Sequence, residues 1–252
     1  MSMAMRAAAG AIVAVGMAIA SGAASAAGAA REAFGFLGGG VRGSDRSGGA
    51  PWRRRRHGEA RYLSGMNPLP KEIWNRHLSY DAYKATISRN ADTFAEVYAE
   101  PSYRPEDLEW LRGLPPLRVV AIGEDWCPDV AHTMPTWARL VDELPGWELG
   151  IFARDTVPEL METFLWMGDR QRIPVYAFYL GDRLQTWWSG RGAAAETALT
   201  DFLAGRSFAD LPEDERRRGS LLLQEGYRDE FRRKNLEEIF ALLQAFFHLP
   251  TA

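Results

Sequence analysis

The chain has one cysteine, Cys127, in the segment Glu124-Asp125-Trp126-Cys127-Pro128-Asp129-Val130. A cysteine does nucleophilic chemistry as its thiolate, so the surroundings that set its ionisation decide what it can do. A short apolar run precedes this segment and an amphipathic stretch follows it, with Pro128 at the first helical position, where proline is tolerated. The sulfur therefore falls at a helix N-terminus, where unpaired N–H groups and the helix dipole favour an anion. This placement predicts a lowered thiol pKa. The competing expectation is an inert packing cysteine, the common fate of a lone one. Trp126, Pro128 and the charged lead-in Glu124-Asp125 describe a loop tip over a sheet edge, which favours chemistry.

The neighbours are read in the same way. Asp129, at the second residue of that helix, stabilises the dipole by its charge. A functional role would be to oppose thiolate formation or, if desolvated, to relay a proton; the structural role is the favoured one. His132 lies five residues past Cys127, about 1.4 helical turns on, which takes it off the sulfur's face and predicts a solvated histidine rather than a general base. His57 and His77 have no partners in spacing, and no metal-ligand set can be assembled. Tyr176, Phe178, Tyr179, Trp187 and Trp188 alternate along strands and predict core and edge packing.

Several elements must hold that loop. Leu117 to Gly123 is a β-branched apolar run of the kind buried in a sheet centre. Trp147 to Ala153 alternates as a second strand, after the Pro145-Gly146 break. Ile173 to Leu180 and Leu184 to Trp188 flank the turn Gly181-Asp182-Arg183 and predict an antiparallel hairpin. Helical spacing covers Pro70 to Tyr98, Pro105 to Leu111, the stretch from Cys127 to Leu144, and Val157 to Trp166. The order predicts an α/β fold: one mixed sheet, two strands parallel and two in the hairpin, covered by helices. The charged tail from Asp214 repeats Phe231, Leu236, Ile239, Phe240, Leu243 and Phe247, so it predicts a helix packed on the rest or, less favoured, a dimer or partner contact.

At 252 residues, 46% hydrophobic and 25% charged, the chain has a globular composition. One cysteine excludes a disulfide-stapled miniprotein, and the residues after the first thirty hold no apolar stretch long enough to span a bilayer. The net charge of −3 hides a division. Residues 1–65 carry 9 Lys+Arg, 3 Asp+Glu and 13 of the 24 glycines, whereas the remainder is acidic. Arg6, the weakly apolar run Ala7–Ala20 and Ala24-Ser25-Ala26 match a secretory signal peptide rather than a stable membrane span. Gly35 to Gly65 is too poor in large apolar residues to offset its ordering entropy and reads as disordered. Its block Arg53-Arg54-Arg55-Arg56 lacks interleaved aromatics and reads as linker charge, not as a nucleic-acid patch. A second reading takes Met66 as the true start and the preceding segment as upstream sequence. The predicted organisation is thus residues 1–65 as leader and linker, or as a mis-set start, and 66–252 as one domain with helical extensions. The compartment follows the same choice: secreted or periplasmic with a real leader, cytoplasmic with a start at Met66.

Trp126-Cys127-Pro128-Asp129 after a buried strand, with Ile173-Pro174 before a later one, resembles the thioredoxin-like superfamily. Closest are bacterial thioredoxin-like proteins with a Trp-Cys-x-Asp active segment, and the likeness runs from Leu117 to roughly Arg191. The resemblance implies that Cys127 is the attacking cysteine, supported by Trp126, Pro128 and Asp129. It also implies that Pro174 is a cis-proline facing Cys127, beside whose backbone at Ile173 and Pro174 a substrate pairs as an added strand. One departure narrows the chemistry. The resolving position of a Cys-x-x-Cys pair holds Val130, so this chain cannot close an internal disulfide or release a mixed disulfide alone. Two functions remain: monothiol exchange through Cys127, with glutathione or another small thiol as co-substrate, or a redox-inactive module docking a partner at the Pro174 edge. A protein disulfide or small thiol would be the partner. The glycine-phenylalanine-serine motif of iron–sulfur monothiol glutaredoxins is absent, so the likeness implies no cluster and no resident cofactor.

Overall fold

The computed structural model describes residues 68–166 and 168–247, and both the signal-like segment and the glycine- and arginine-rich stretch to Gly65 lie outside them. Four strands form one sheet in the order β2-β1-β3-β4. β1 (Arg118–Ile122) pairs parallel with β2 (Glu148–Phe152) and antiparallel with β3 (Val175–Leu180), which pairs antiparallel with β4 (Arg183–Ser189). This is the mixed sheet that the pattern of runs predicts. Gly181 closes the hairpin at a φ of +64°, where a side chain would be strained.

The sheet is buried on both faces, which is why β1 is a continuous apolar run. On one face Val119, Ala121, Ile151, Tyr176, Phe178 and Trp188 form a core cluster. On the other, Val120, Ile122, Phe152, Val175, Ala177, Tyr179 and Leu184 form a second. Leu184 and Trp188 are four apart in one strand yet serve opposite faces. The register explains it: Tyr179 pairs with Leu184 but Phe178 with Thr186, so Gln185 is an extra residue that inverts the alternation.

The helical pattern from Pro70 to Tyr98 resolves into α1 (Lys71–Trp74), α2 (Tyr80–Lys84) and α3 (Ala91–Ala99). The backbone of Leu78 pairs with Ile151 in both directions, at 2.8 and 2.9 Å, which draws the chain out of helix there. Ser79 caps α2 by accepting from the Ala82 N–H, and Asn90 sits in the left-handed region before α3. Then come α4 (Pro105–Arg112), α5 (Pro128–Ala131) and α6 (Met134–Asp142). The single stretch predicted from Cys127 to Leu144 is therefore broken at His132-Thr133. Pro135 has no N–H to carry the first helix through and suits the start of the second.

After β2, α7 (Pro158–Thr163) packs beneath the sheet through Leu160 and Met161. Beyond the hairpin lie α8 (Ala193–Leu203), α9 (Glu213–Gly226), a π-helical turn at Tyr227–Phe231 and α10 (Arg232–Phe247). The sequence pattern did not point to α8, an alanine-rich helix with only Ala195 fully buried. The tail packs as its repeat predicts: Leu236, Ile239, Phe240 and Leu243 enter the first core cluster, where Phe240 meets Trp137 and Trp110. Among the described residues no helix is long and apolar enough to cross a membrane.

Candidate functional site

The cysteine loop leaves the end of β1 at Gly123. A Cβ at Gly123 would lie 2.7 Å from a Val130 methyl carbon and 2.9 Å from Met134 Cε, so a hydrogen there lets α5 fold tightly over the strand. The two acids of the lead-in are anchors. Glu124 Oε1 accepts the Arg154 N–H at 2.8 Å. Asp125 Oδ2 accepts the N–H groups of Ser88 and Arg89 at 2.6 and 2.9 Å and the Ser88 hydroxyl, while Asn90 Nδ2 donates to the Asp125 carbonyl. Burial pulls the Asp125 carboxyl upward, but these donors prevail and hold it below the usual range. The start of the loop is thereby fixed at two adjacent residues to other parts of the chain.

Cys127 occupies the N-cap of α5 with Pro128 at the first helical position. Its Sγ points at the Ile173 carbonyl oxygen, 4.0 Å away. The Ile173–Pro174 peptide bond is cis, and the Pro174 carbonyl accepts the Gly190 N–H at 2.8 Å. Trp126 stands beside the sulfur's loop as an exposed ring, 44% accessible, with the Arg154 guanidinium 5.5 Å from its centre. Trp126, Cys127, Pro128, Ile173 and Pro174 thus come together at one end of the sheet.

The electrostatics run against the helix-terminus expectation. Cys127 is buried, 8% accessible, and its thiol is pushed up to about 11, first by burial and then by the negative charge of Asp129. The N–H groups of Val130 and Asp129 and the charge of Arg191 act in the opposite direction and lose. A four-residue helix carries only a small summed dipole and Pro128 removes one N–H from its start, whereas desolvation penalises a thiolate in full. The lowered thiol pKa read from the sequence is corrected accordingly.

Asp129 is also placed differently from the dipole reading. It is 5% accessible, and Arg191 reaches it with Nε at 3.0 and 3.1 Å and Nη2 at 2.8 Å. Tyr227 donates its hydroxyl to Asp129 Oδ1 at 2.8 Å. The carboxylate is thus a buried, partnered charge rather than a solvated first-turn acid. Glu196 extends the network to Arg191 and to Arg172, the residue before Ile173, the latter at 3.1 Å. Thr133 donates to the Asp129 carbonyl and shares a 2.7 Å hydrogen bond with the Tyr176 hydroxyl, tying the helix break to β3.

His132 is a further correction. It is 5% accessible and stacks on Tyr227 at 4.5 Å between ring centres, because the break after Ala131 turns it inward. Burial, with the charges of Arg232 and Arg228, holds it neutral down to about pH 4. It lines a surface pocket of about 80 Å³ with Asn90, Glu96, Pro128, Gln224 and Arg228. Among the described residues no group of three or more His, Cys, Asp or Glu side chains is placed to hold a metal ion.

Arg191 and Tyr227 are the site residues that sequence reasoning missed. Tyr227 lies 98 residues from Asp129 and reaches it from the π-helical turn, so no local spacing announces the pair. Arg191 carried a signal only in its position, directly after the hairpin whose end packs against Pro174.

A family profile described as thioredoxin matches residues 77–202. No curated protein matches the chain. Two solved structures resemble it. One is a protein of unknown function from Pseudomonas aeruginosa, 16% identical, with a TM-score of 0.49 over 69% of this chain and 96% of that one. The other is an HIV epitope scaffold, 15% identical, with a TM-score of 0.49 over 69% of this chain and 97% of that one.

Proposed function

The chain belongs to the thioredoxin-like family, and we propose that it carries out monothiol exchange through Cys127 on a disulfide docked along Ile173 and Pro174. The observation that carries this reading is the juxtaposition of Cys127 Sγ and the Ile173 carbonyl at 4.0 Å, beside Pro174 and the exposed Trp126 ring. An extended substrate pairing with that backbone would bring its own sulfur to Cys127. The Cys127 thiolate attacks one sulfur of the substrate disulfide, a mixed disulfide forms, and the other sulfur leaves as a thiolate. With Val130 at the resolving position, an external thiol such as glutathione attacks the Cys127 sulfur of the mixed disulfide and the substrate leaves with its second thiolate. A second external thiol then attacks the Cys127 adduct, forming the external disulfide and returning the Cys127 thiolate. Two external thiols are oxidised for each substrate disulfide reduced.

The raised thiol favours a second reading, a redox-silent module that uses the same edge to hold a partner. Incubation of the full chain with glutathione disulfide over a range of pH separates the two. A single glutathionyl adduct at Cys127, removed by reduced glutathione and absent from Cys127→Ser, is the expected result. No adduct even under alkaline conditions, where the thiol ionises, overturns exchange and leaves the module.

A further inference from the structure

Behind the cysteine helix polar atoms of four residues are buried without a protein hydrogen-bond partner among the described residues: His132 Nδ1, Thr136 Oγ1, Trp137 Nε1 and Arg232 Nε. All four residues are more than nine-tenths buried, at 5, 2, 0 and 9% accessibility. They line one cavity of about 10 Å³ between α6 and α10, together with Leu236, Ile239 and Asn235. The amide atoms of Asn235 are unpartnered too, but they lie against Gly192 and beside the Tyr227 hydroxyl. A buried polar group without a partner is strongly disfavoured, so four on one cavity call for an occupant.

We propose that this cavity is a binding site for a single water molecule, held by His132, Thr136, Trp137 and Arg232 together. The volume is close to the roughly 10–15 Å³ that one ordered water needs. The chemistry matches group by group. Trp137 Nε1 and Arg232 Nε only donate, and they fill the two lone pairs of the water. His132 Nδ1 and Thr136 Oγ1 can accept, and they take its two hydrogens. A cation is excluded by the two donor-only groups, one of them on a guanidinium. An anion fits poorly: Arg232 is already neutralised by Glu96 at 2.8 Å, and His132 is held neutral by burial, so its Nδ1 is free to accept. The site lies at the break between α5 and α6 and ties it to α10. It does not depend on whether Cys127 turns over.

The test is water-to-protein magnetisation transfer to the Trp137 indole N–H in the ¹⁵N-labelled full chain, in halide-free buffer at neutral pH. A cross-peak of opposite sign in NOE and ROE spectra, marking a water that stays longer than the protein tumbles, is the expected result. Thr136→Val keeps the side-chain volume and removes one partner, so the cross-peak should fall by at least half while the remaining amide spectrum is kept. A wild-type chain without the cross-peak, or one that Thr136→Val leaves unchanged, overturns the site. So does a crystal structure in which the four groups bond to one another, or in which bromide gives an anomalous signal there.

Discussion

Tyr227 donates its hydroxyl to Asp129 Oδ1 at 2.8 Å, so the C-terminal segment reaches back across 98 residues to the acid two places beyond the cysteine. Arg191 closes on the same carboxylate, and the three side chains make one buried polar unit behind the sulfur. Removing a member should therefore be felt both in stability and at Cys127.

Tyr227→Phe keeps the ring stacked on His132 and removes one hydrogen bond to a charged group, which should cost about 1.5–3 kcal/mol. Arg191→Ala leaves Asp129 buried without its countercharge and should cost more, about 3–5 kcal/mol. Urea unfolding of both variants checks the order. Equal losses would mean that the arginine contributes no more than the hydroxyl.

Cys127 should be a sluggish thiol. With its pKa at about 11 rather than 9.0, the thiolate fraction at neutral pH falls about a hundredfold. Alkylation should accelerate up to that pH. Asp129→Asn removes the carboxylate charge that pushes the thiol upward and frees Arg191 to draw it down, so alkylation at neutral pH should rise roughly tenfold. The rate of iodoacetamide modification against pH measures both. A wild-type midpoint below that of an ordinary thiol would restore the helix-terminus expectation.

His132 makes stability depend on pH. Its folded pKa is depressed from 6.5 to about 4 by burial and by Arg232 and Arg228, so the unfolded chain binds the proton first as the solution is acidified. The stabilising effect is fully present above pH 6.5 and is lost as the pH falls toward about 4, by up to about 3 kcal/mol. His132→Phe preserves the stack on Tyr227 and should flatten the stability difference across that window. Urea midpoints measured through it decide the matter; an unchanged slope assigns the loss to the carboxylates.

The last helix is part of the core. Phe240 contacts both Trp137 and Trp110, and Phe240→Ala should cost about 3–5 kcal/mol and alter tryptophan fluorescence in the folded state. A chain ending before Arg232 should fail to fold. Preserved near-ultraviolet circular dichroism in that truncation would show that the sheet stands without it.

Gly123→Ala should disturb the site without touching a reactive group, since the added methyl meets Val130 and Met134 below 3 Å. Overpacking of this kind costs about 1–3 kcal/mol. Displacement of α5 should also change the alkylation rate of Cys127, and an unchanged rate would show that the strain is absorbed elsewhere.

The mixed sheet, the cysteine at a helix start and the packing of the tail were legible in the residue pattern, which rests on local order: a β-branched run, a proline at a first helical position, a glycine at a turn and apolar residues at three and four. Ile173-Pro174 as the partner facing Cys127 came from the family resemblance, not from spacing. The character of the sulfur was set by folding. Whether a helix start favours a thiolate depends on how much water remains and which charges lie behind it. Those charges, Asp129, Arg191 and Tyr227, come from three distant stretches of chain. The inward turn of His132 was hidden for the same reason, because helical spacing assumes a continuous helix and the chain breaks at that residue. Periodicity is a property of neighbours along the chain, whereas desolvation and charge pairing belong to the neighbours that folding brings together.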